Sequence, residues 1–381
     1  MQRGFPEAEF EARTARAQAL MAKAGLSALL LTTEQEVRYF TGYLTRFWES
    51  PTRSWFLIVP ASGKPVAVIP SIGAALMGET WIDDIRTWSA PDLVDDGVSL
   101  LADTLSELTP ADAHISIPDG HETHMRMPLR DYLRLGDMIG TRKLTGDHDI
   151  IQKLRLIKSD AEIFKITEAA RIGGAAFARV PEIAQAGTPL DQIFRDFQRL
   201  CLEEGADWVP YLSGGAEQGG YGDIIAPATS KPLETGDVLM IDTGLVWDGY
   251  FCDFDRNWSV GTPAPEVTSA YARLIEASEA AFEIARPGTT AAQMFHAMNN
   301  IVSTGEETGA GRLGHGLGMS LTEWPSFIPT DESVLEEGMV LTLEPGILVN
   351  GRMLVHEENI VVTEGAPYYI SPKAGPEMVV I

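Results

Sequence analysis

Apolar positions recur at helical spacing over Glu7–Ala24 and then run unbroken through Ala28–Leu31, which reads as an amphipathic helix followed by a buried strand. The segment Tyr39-Phe40-Thr41-Gly42-Tyr43 follows. Residues 55–60, the Ser62-Gly63 turn and residues 65–69 read as a β-hairpin, Val98–Leu108 as a helix and residues 115–117 as a strand, the pattern of a small α/β domain. A break comes at residues 145–147. Ser159 then reads as a helix N-cap with Glu162 as its capping-box partner, opening a long helix to about Val180. Beyond it the pattern predicts a helix at Leu190–Glu204, a glycine-rich stretch at 213–222, strands at 238–242 and 258–260, and helices at 265–285 and 291–304. Short apolar runs at 341–344, 347–349 and 359–363 are separated by the turn signals Pro345-Gly346 and Asn350-Gly351. There is no short-period repeat, low-complexity tract or coiled coil. The expected architecture is α+β, with domains at 1–147 and 148–381.

Composition narrows the possible functions. A chain of 381 residues has room for two domains of about 150 residues each and needs no disulfide staple. Hydrophobic residues at 45% and charged residues at 22% fit a soluble globular protein. Twenty-nine Lys and Arg against 54 Asp and Glu leave a formal charge of -25, a field that repels phosphate backbones and anionic lipid. Nucleic-acid and membrane partners are therefore not expected. The two cysteines, Cys201 and Cys252, form no CxxC pair, which suits a reducing, cytoplasmic compartment. Residues 1–16 are charged where a signal peptide needs an apolar core, and the best apolar run, 26–31, is too short to span a bilayer.

Candidate chemistry lies where charge interrupts apolar strands. Asp242 ends the run Val238-Leu239-Met240-Ile241, and Glu344 ends Val340-Leu341-Thr342-Leu343. A carboxylate there must be paired, hydrogen-bonded or bound to a cation, because burying it alone costs several kcal/mol. Asp253 lies eleven residues after Asp242, the separation at which two strands joined across Trp247-Asp248-Gly249 bring two acids face to face. His315 is flanked by Gly314, Gly316 and Gly318, and Glu357 precedes the strand at 359–363. Singly, each of these acids more often caps backbone amides. Together, four carboxylates and one imidazole make a hard, oxygen-rich set suited to a pair of divalent metals. His356 faces away from its neighbour Glu357 along a strand and reads as a supporting residue, while His121 and His124 stand apart from any cluster.

These motifs have a family counterpart. Ile241-Asp242-Thr243-Gly244, Tyr250-Phe251-Cys252-Asp253-Phe254-Asp255-Arg256, Gly314-His315-Gly316-Leu317-Gly318, Leu343-Glu344-Pro345-Gly346 and His356-Glu357-Glu358-Asn359 resemble, in order and spacing, the five metal-ligand motifs of the creatinase/prolidase/aminopeptidase P family, the pita-bread metallopeptidases. The resemblance extends to Leu156-Ile157-Lys158-Ser159 with Glu162 and, more loosely, to residues 39–43. It implies a small creatinase-like α/β N-terminal domain, followed by a catalytic domain with a curved antiparallel sheet flanked by helices. It implies that Asp242, Asp253, His315, Glu344 and Glu357 hold two divalent ions (manganese, zinc, cobalt or iron), with Glu344 also the general base toward a shared water. It further implies a homodimer in which the Arg46-Phe47-Trp48-Glu49-Ser50-Pro51-Thr52-Arg53 loop approaches the partner's site; the same segment also reads as a plain packing loop.

The chain departs from the peptidase pattern at three substrate contacts. No histidine lies between His148 and His296, Thr322 stands where a second substrate histidine is usual, and Val355 replaces an arginine two residues before Glu357. Tyr221, Asp223, Thr322 and Glu323 are the candidate replacements, with Trp324 and Phe327 as possible pocket walls. The implied activity is a metal-dependent hydrolase of small Xaa-Pro-type peptides, weak on standard ones. The alternatives are a creatinase- or ectoine-hydrolase-like enzyme or osmolyte lyase on a small non-peptide substrate, or a non-catalytic binding protein on the same fold. Gly244 lacks the extra acid that the lyases tend to place there.

Overall fold

The computed structural model describes residues 3–50, 53–303 and 311–381. The chain divides into two compact units, Met1–Arg155 and Leu156–Ile381. The first unit therefore runs past the sequence break at 145–147, because the helix Ile150–Leu156 buries Ile150, Ile151 and Leu154, and the Tyr39 hydroxyl donates to the Leu154 carbonyl at 3.1 Å.

In the first unit the four buried residues of β1 (Ala28–Leu31) sit inside a six-stranded sheet. Its other strands are β2 (Phe56–Pro60), β3 (Val66–Pro70), β4 (Asp84–Trp88), β5 (His114–Ile117) and β6 (Lys143–Gly146), in the order β4-β3-β2-β1-β5-β6. β2 pairs antiparallel with β1 and β3, forming the expected hairpin, and the remaining pairs are parallel. Leu101 and Leu105 of the helix Val98–Leu108 pack with Ile58, Val68 and Ile115. Residues 39–43 fall in and after a helix, Glu34–Thr41, which starts at a Thr33/Glu36 capping box and stops at Gly42 with φ +78°. Within the 46–53 segment, Trp48 packs on Trp55 with ring centroids 5.5 Å apart, and Arg126 donates to the Trp48 and Arg53 carbonyls at 2.8 Å each. Those aromatics serve the packing of this unit; Pro51 and Thr52 lie outside the described residues.

The second unit opens as the sequence predicts. Ser159 Oγ accepts from the Glu162 amide and Glu162 Oε2 from the Ser159 amide at 3.0 Å, capping the helix Asp160–Ala178. Its strands are β7 (Trp208–Gln218), β8 (Asp237–Trp247), β9 (Tyr250–Phe251), β10 (Phe254–Ser259), β11 (Gly314–Gly316), β12 (Glu323–Ser326), β13 (Val340–Leu343), β14 (Gly346–Val349), β15 (Arg352–Val355), β16 (Glu358–Val361), β17 (Tyr368–Tyr369) and β18 (Val379–Val380). They form one sheet in the order β18-β10-β8-β7 with β9 on β8, a second in the order β12-β11-β13-β16-β17, and the hairpin β14-β15. All pairs are antiparallel except β10 with β18. Helices Asp160–Ala178 and Leu190–Glu204 cover the first sheet through Phe177, Phe197, Leu239, Ile241 and Phe254. Helices Pro265–Ile284 and Ala291–Val302 cover the second sheet and the hairpin through Leu274, Met294, Leu341 and Leu354; Thr304, in the expected helix, lies outside the described residues.

The stretch read as a glycine-rich segment is mostly strand β7. Its glycines are needed there, because a Cβ on Gly214, at φ +152°, would stand 2.1 Å from the Met240 carbonyl oxygen of β8. The turn from β8 to β9 is held from beneath by Lys165, whose ammonium pairs with the buried Asp248 carboxylate. Removing one member of a buried pair leaves the other charge uncompensated. Lys165→Met is therefore expected to lower stability by about 3–5 kcal/mol, read from the denaturant midpoint at unchanged slope.

Candidate metal centre

Two sheets deliver the charged side chains to one place. Asp242 lies in β8 and Asp253 between β9 and β10; His315 lies in β11, Glu344 directly after β13 and Glu357 directly before β16. In the second sheet Leu343 pairs with Glu358, so Glu344 and Glu357 leave neighbouring strands side by side. In the first sheet the residue opposite Asp242 is Asp255, not Asp253 as the hairpin spacing suggested. Asp253 falls two positions along, and Gly244, two residues beyond Asp242, keeps that ground free of a side chain. A Cβ on Gly244 would stand 2.1 Å from the Leu321 Cδ1 methyl, so Leu321 fills the space that an acid at this position would need.

The five side chains form two overlapping groups. Asp253, His315 and Glu344 each offer a ligand atom within 4.8 Å of the others, as do Asp242, Asp253 and Glu357, and Asp253 is common to both. His315 Nε2 lies 2.6 Å from Glu344 Oε1 and 3.3 Å from Asp253 Oδ2. Its Nδ1 lies 2.7 Å from the Gly316 carbonyl, so Nδ1 carries the proton and Nε2 is aimed at the carboxylates. Ser213 Oγ lies 3.5 Å from Asp242 Oδ2 but donates its proton to the Ile224 carbonyl at 2.8 Å, while Asp242 Oδ1 is buried with no hydrogen-bond partner.

The electrostatics call for cations. Burial, reinforced by neighbouring acids, holds the carboxyls of Asp242 and Glu357 well above the usual range; burial also raises Asp253. Burial pulls the His315 imidazole down, but Glu344 and Asp253 outweigh it and push it up to about 10. Burial would raise Glu344 too, yet His315 and Arg312 bring it below its ordinary value. Acids crowded together with an orphaned oxygen, around a histidine Nε2 that without an ion must carry a proton to face two carboxylates, fit hard divalent ions whose charge would take the place of that proton.

The expected substrate contacts are placed differently from one another. Tyr221 is only 1% exposed; its hydroxyl donates to Asn257 Oδ1 at 3.3 Å and accepts from the Val355 amide at 2.6 Å. It ties the chain to the β14-β15 hairpin. Asp223 is exposed, and its Oδ1 accepts from the Ile225 amide at 2.8 Å. Glu323 is buried against Lys158 at 3.0 Å. Phe327 is fully buried in the core. Thr322 is half-buried, and its hydroxyl accepts from Arg312 Nη2 at 3.1 Å.

Sequence reasoning missed Arg312, Tyr211 and Ser213. Arg312 precedes His315 by three residues and acts electrostatically on both Asp253 and Glu344. Tyr211 and Ser213 lie in β7 opposite Gly244 and Asp242, with their hydroxyl oxygens 2.8 Å apart. Their alternation at a strand's period of two was the available signal. Gly316 fixes the local backbone, since a Cβ there would stand 1.9 Å from the Trp324 carbonyl oxygen. Gly316→Ala is expected to cost about 2–4 kcal/mol, because backbone rather than a flexible side chain must move; a thermal melt within a degree of the wild type would contradict this.

Comparison with known proteins agrees with this geometry. The profile of metallopeptidase family M24 matches residues 165–364, and that of the creatinase/prolidase N-terminal domain matches residues 13–157. The chain is 28% identical over 374 residues to the "Probable dipeptidase PepE" of Mycobacterium tuberculosis, covering 94% of this chain and 93% of the relative. It is 35% identical over 219 residues to the Xaa-Pro dipeptidase of Pyrococcus horikoshii, covering 53% of this chain and 58% of that one. The crystal structure of dipeptidase PepE from Mycobacterium ulcerans superposes with a TM-score of 0.85 at 29% identity over 99% of both chains. The match to the profile spans more than half of the chain and contains every member of the two acidic groups. The chain accordingly belongs to metallopeptidase family M24 and is a metal-dependent hydrolase of that family.

Proposed function

We propose that the protein is a dinuclear-metal dipeptidase that hydrolyses short peptides of the Xaa-Pro type, with Asp242, Asp253, His315, Glu344 and Glu357 holding two divalent ions. The observation that carries this reading is the pair of three-residue groups sharing Asp253. The names of the relatives, a dipeptidase and an Xaa-Pro dipeptidase, supply the substrate class. Divalent ions bound there would supply Lewis acidity that brings the pKa of a water toward neutrality.

The protein's own groups do the rest. Glu344 is the most exposed of the paired acids around His315, with 17% of its side chain accessible, against 6% for Asp253. It can therefore meet incoming water and pass its proton toward the leaving amine. Arg312, held by Thr322 and acting electrostatically on Asp253 and Glu344, is the cation available to a substrate carboxylate or a developing oxyanion. Leu321 packs onto Gly244, two residues along β8 from Asp242.

Thr322 cannot share a proton near pH 7 as an imidazole can, and one such contact is worth about 10²–10³ in rate. Standard Xaa-Pro dipeptides are thus expected to be cleaved with kcat/KM below about 10⁴ M⁻¹s⁻¹. A value at or above that would show that the missing histidines do not matter. The decisive screen offers Xaa-Pro dipeptides, other dipeptides, longer Xaa-Pro peptides, and creatine- and ectoine-like compounds with manganese, zinc, cobalt or iron. Turnover confined to non-peptide compounds would replace the dipeptidase reading with the small-substrate one, and no turnover by a metal-loaded protein would leave a binding role. We further take the protein to work as a cytoplasmic homodimer. Its two cysteines are buried and unpaired, and among the described residues no helix is long and apolar enough to cross a membrane. A monomer by light scattering at micromolar concentration would refute the dimer.

A further inference from the structure

Asp253 and Glu357 come from different sheets, one just before β10 and one just before β16, and no β-ladder joins those two strands. Something else must set their separation. The residue two places beyond each carboxylate reaches across to the other's backbone. Asn359 Oδ1 accepts from the Asp253 amide at 3.0 Å, and Asn359 Nδ2 donates to the Asp253 carbonyl. In return, Asp255 Oδ1 accepts from the Glu357 amide at 2.6 Å. The exchange joins both sheets by side-chain-to-backbone bonds that mimic a ladder. Asp255 and Asn359 are fully buried, so no water competes for these bonds.

Both clamping residues are themselves fixed. Asp255 Oδ2 accepts from Asn257 Nδ2 at 2.9 Å, and the Asn359 amide donates to Ser371 Oγ at 2.9 Å. Arg256, next to Asp255, donates to the Glu357 carbonyl at 2.9 Å and pairs with Glu358 at 3.0 Å.

We propose that Asp255 and Asn359 are positioning residues that preset the spacing of Asp253 and Glu357, so that the group formed with Asp242 is ready for a cation before one arrives. This rests on the two-metal reading above. Like charges held close without a cation repel, and only an external clamp keeps them at ligand spacing. Partners of this kind typically contribute 10–100-fold in metal affinity.

The test is metal binding by metal-free full-length protein, measured with manganese alone by isothermal titration and by bound-metal content after dialysis. Asn359→Ala removes the clamp on Asp253, and Asn359→Thr does the same with a residue suited to a strand, should the alanine variant fold poorly. Asp255→Ala removes the other half. Lys165→Met serves as a control that weakens the same unit away from the clamp. The expected result is two ions on the wild type, a 10–100-fold weaker affinity for at least one ion in the Asn359 and Asp255 variants, and unchanged affinity in Lys165→Met despite its lower Tm. Two ions bound by the clamp variants with wild-type affinity would overturn the inference while leaving the two-metal reading intact. An equal loss in Lys165→Met would also overturn it, as the effect would then be general instability. A wild type that binds no manganese would overturn both.

Discussion

Asp253→Ala is expected to abolish turnover, by about 10³-fold or more, and to take the bound-metal content from two ions per chain to one or none. Asp253 is the member shared by both groups, so its loss removes a ligand from each. The several kcal/mol of transition-state charge stabilisation that such ions supply convert to about a decade of rate per 1.4 kcal/mol. A general structural lesion would destabilise the protein as well. Here the opposite follows for the metal-free chain: the Asp253 charge contributes to the raised carboxyls of Asp242 and Glu357, so removing it relieves repulsion. Metal-free Asp253→Ala should therefore melt no lower than metal-free wild type, yet gain little from added metal. An inactive variant that melts well below the wild type would point to misfolding instead.

Chelation is expected to produce the largest change in stability. The five side chains lie at the junction of two sheets, and ions that bind only the folded chain stabilise it by mass action, by about 2.7 kcal/mol per site at a hundredfold excess over Kd. Two such sites in a unit of this size correspond to a drop in Tm of more than ~10 °C on treatment with EDTA, reversed by adding back manganese or zinc. A Tm that ignores the chelator, in protein shown to have lost its metal, would remove the ions from any role in holding the sheets together.

The convergence of Asp242, Asp253, His315, Glu344 and Glu357 is legible in the sequence because charge at the end of an apolar strand is costly and so marks itself. Element types are legible for the same kind of reason: the Ser159/Glu162 capping box and the β2–β3 hairpin follow local rules that tertiary contacts do not override. What stays hidden depends on pairing between distant segments. Spacing across the Trp247-Asp248-Gly249 turn suggests Asp253 opposite Asp242, but the register places Asp255 there, a two-residue offset that a side-chain pattern of period two cannot detect. β7 is hidden because the glycines that let it approach β8 also erase its apolar alternation. Tyr221 looks like a replacement for a missing histidine, yet its hydroxyl is committed to Asn257 and Val355. Arg312 is invisible because an arginine three residues before a ligand has no meaning until the loop carrying Thr322 is folded beside it. The antiparallel, helix-flanked strand set of the second unit is as expected, while the pairing of its edges into two sheets and a hairpin carries no local signal.

Whether one buried site holds two cations between Asp242, Asp253, His315, Glu344 and Glu357 can be read from anomalous diffraction by crystals grown with manganese. Two anomalous peaks about 3.5 Å apart are expected, both within coordination distance of Asp253 and jointly enclosed by the other four side chains. A single peak, or peaks lying away from these five residues, would contradict the two-cation site.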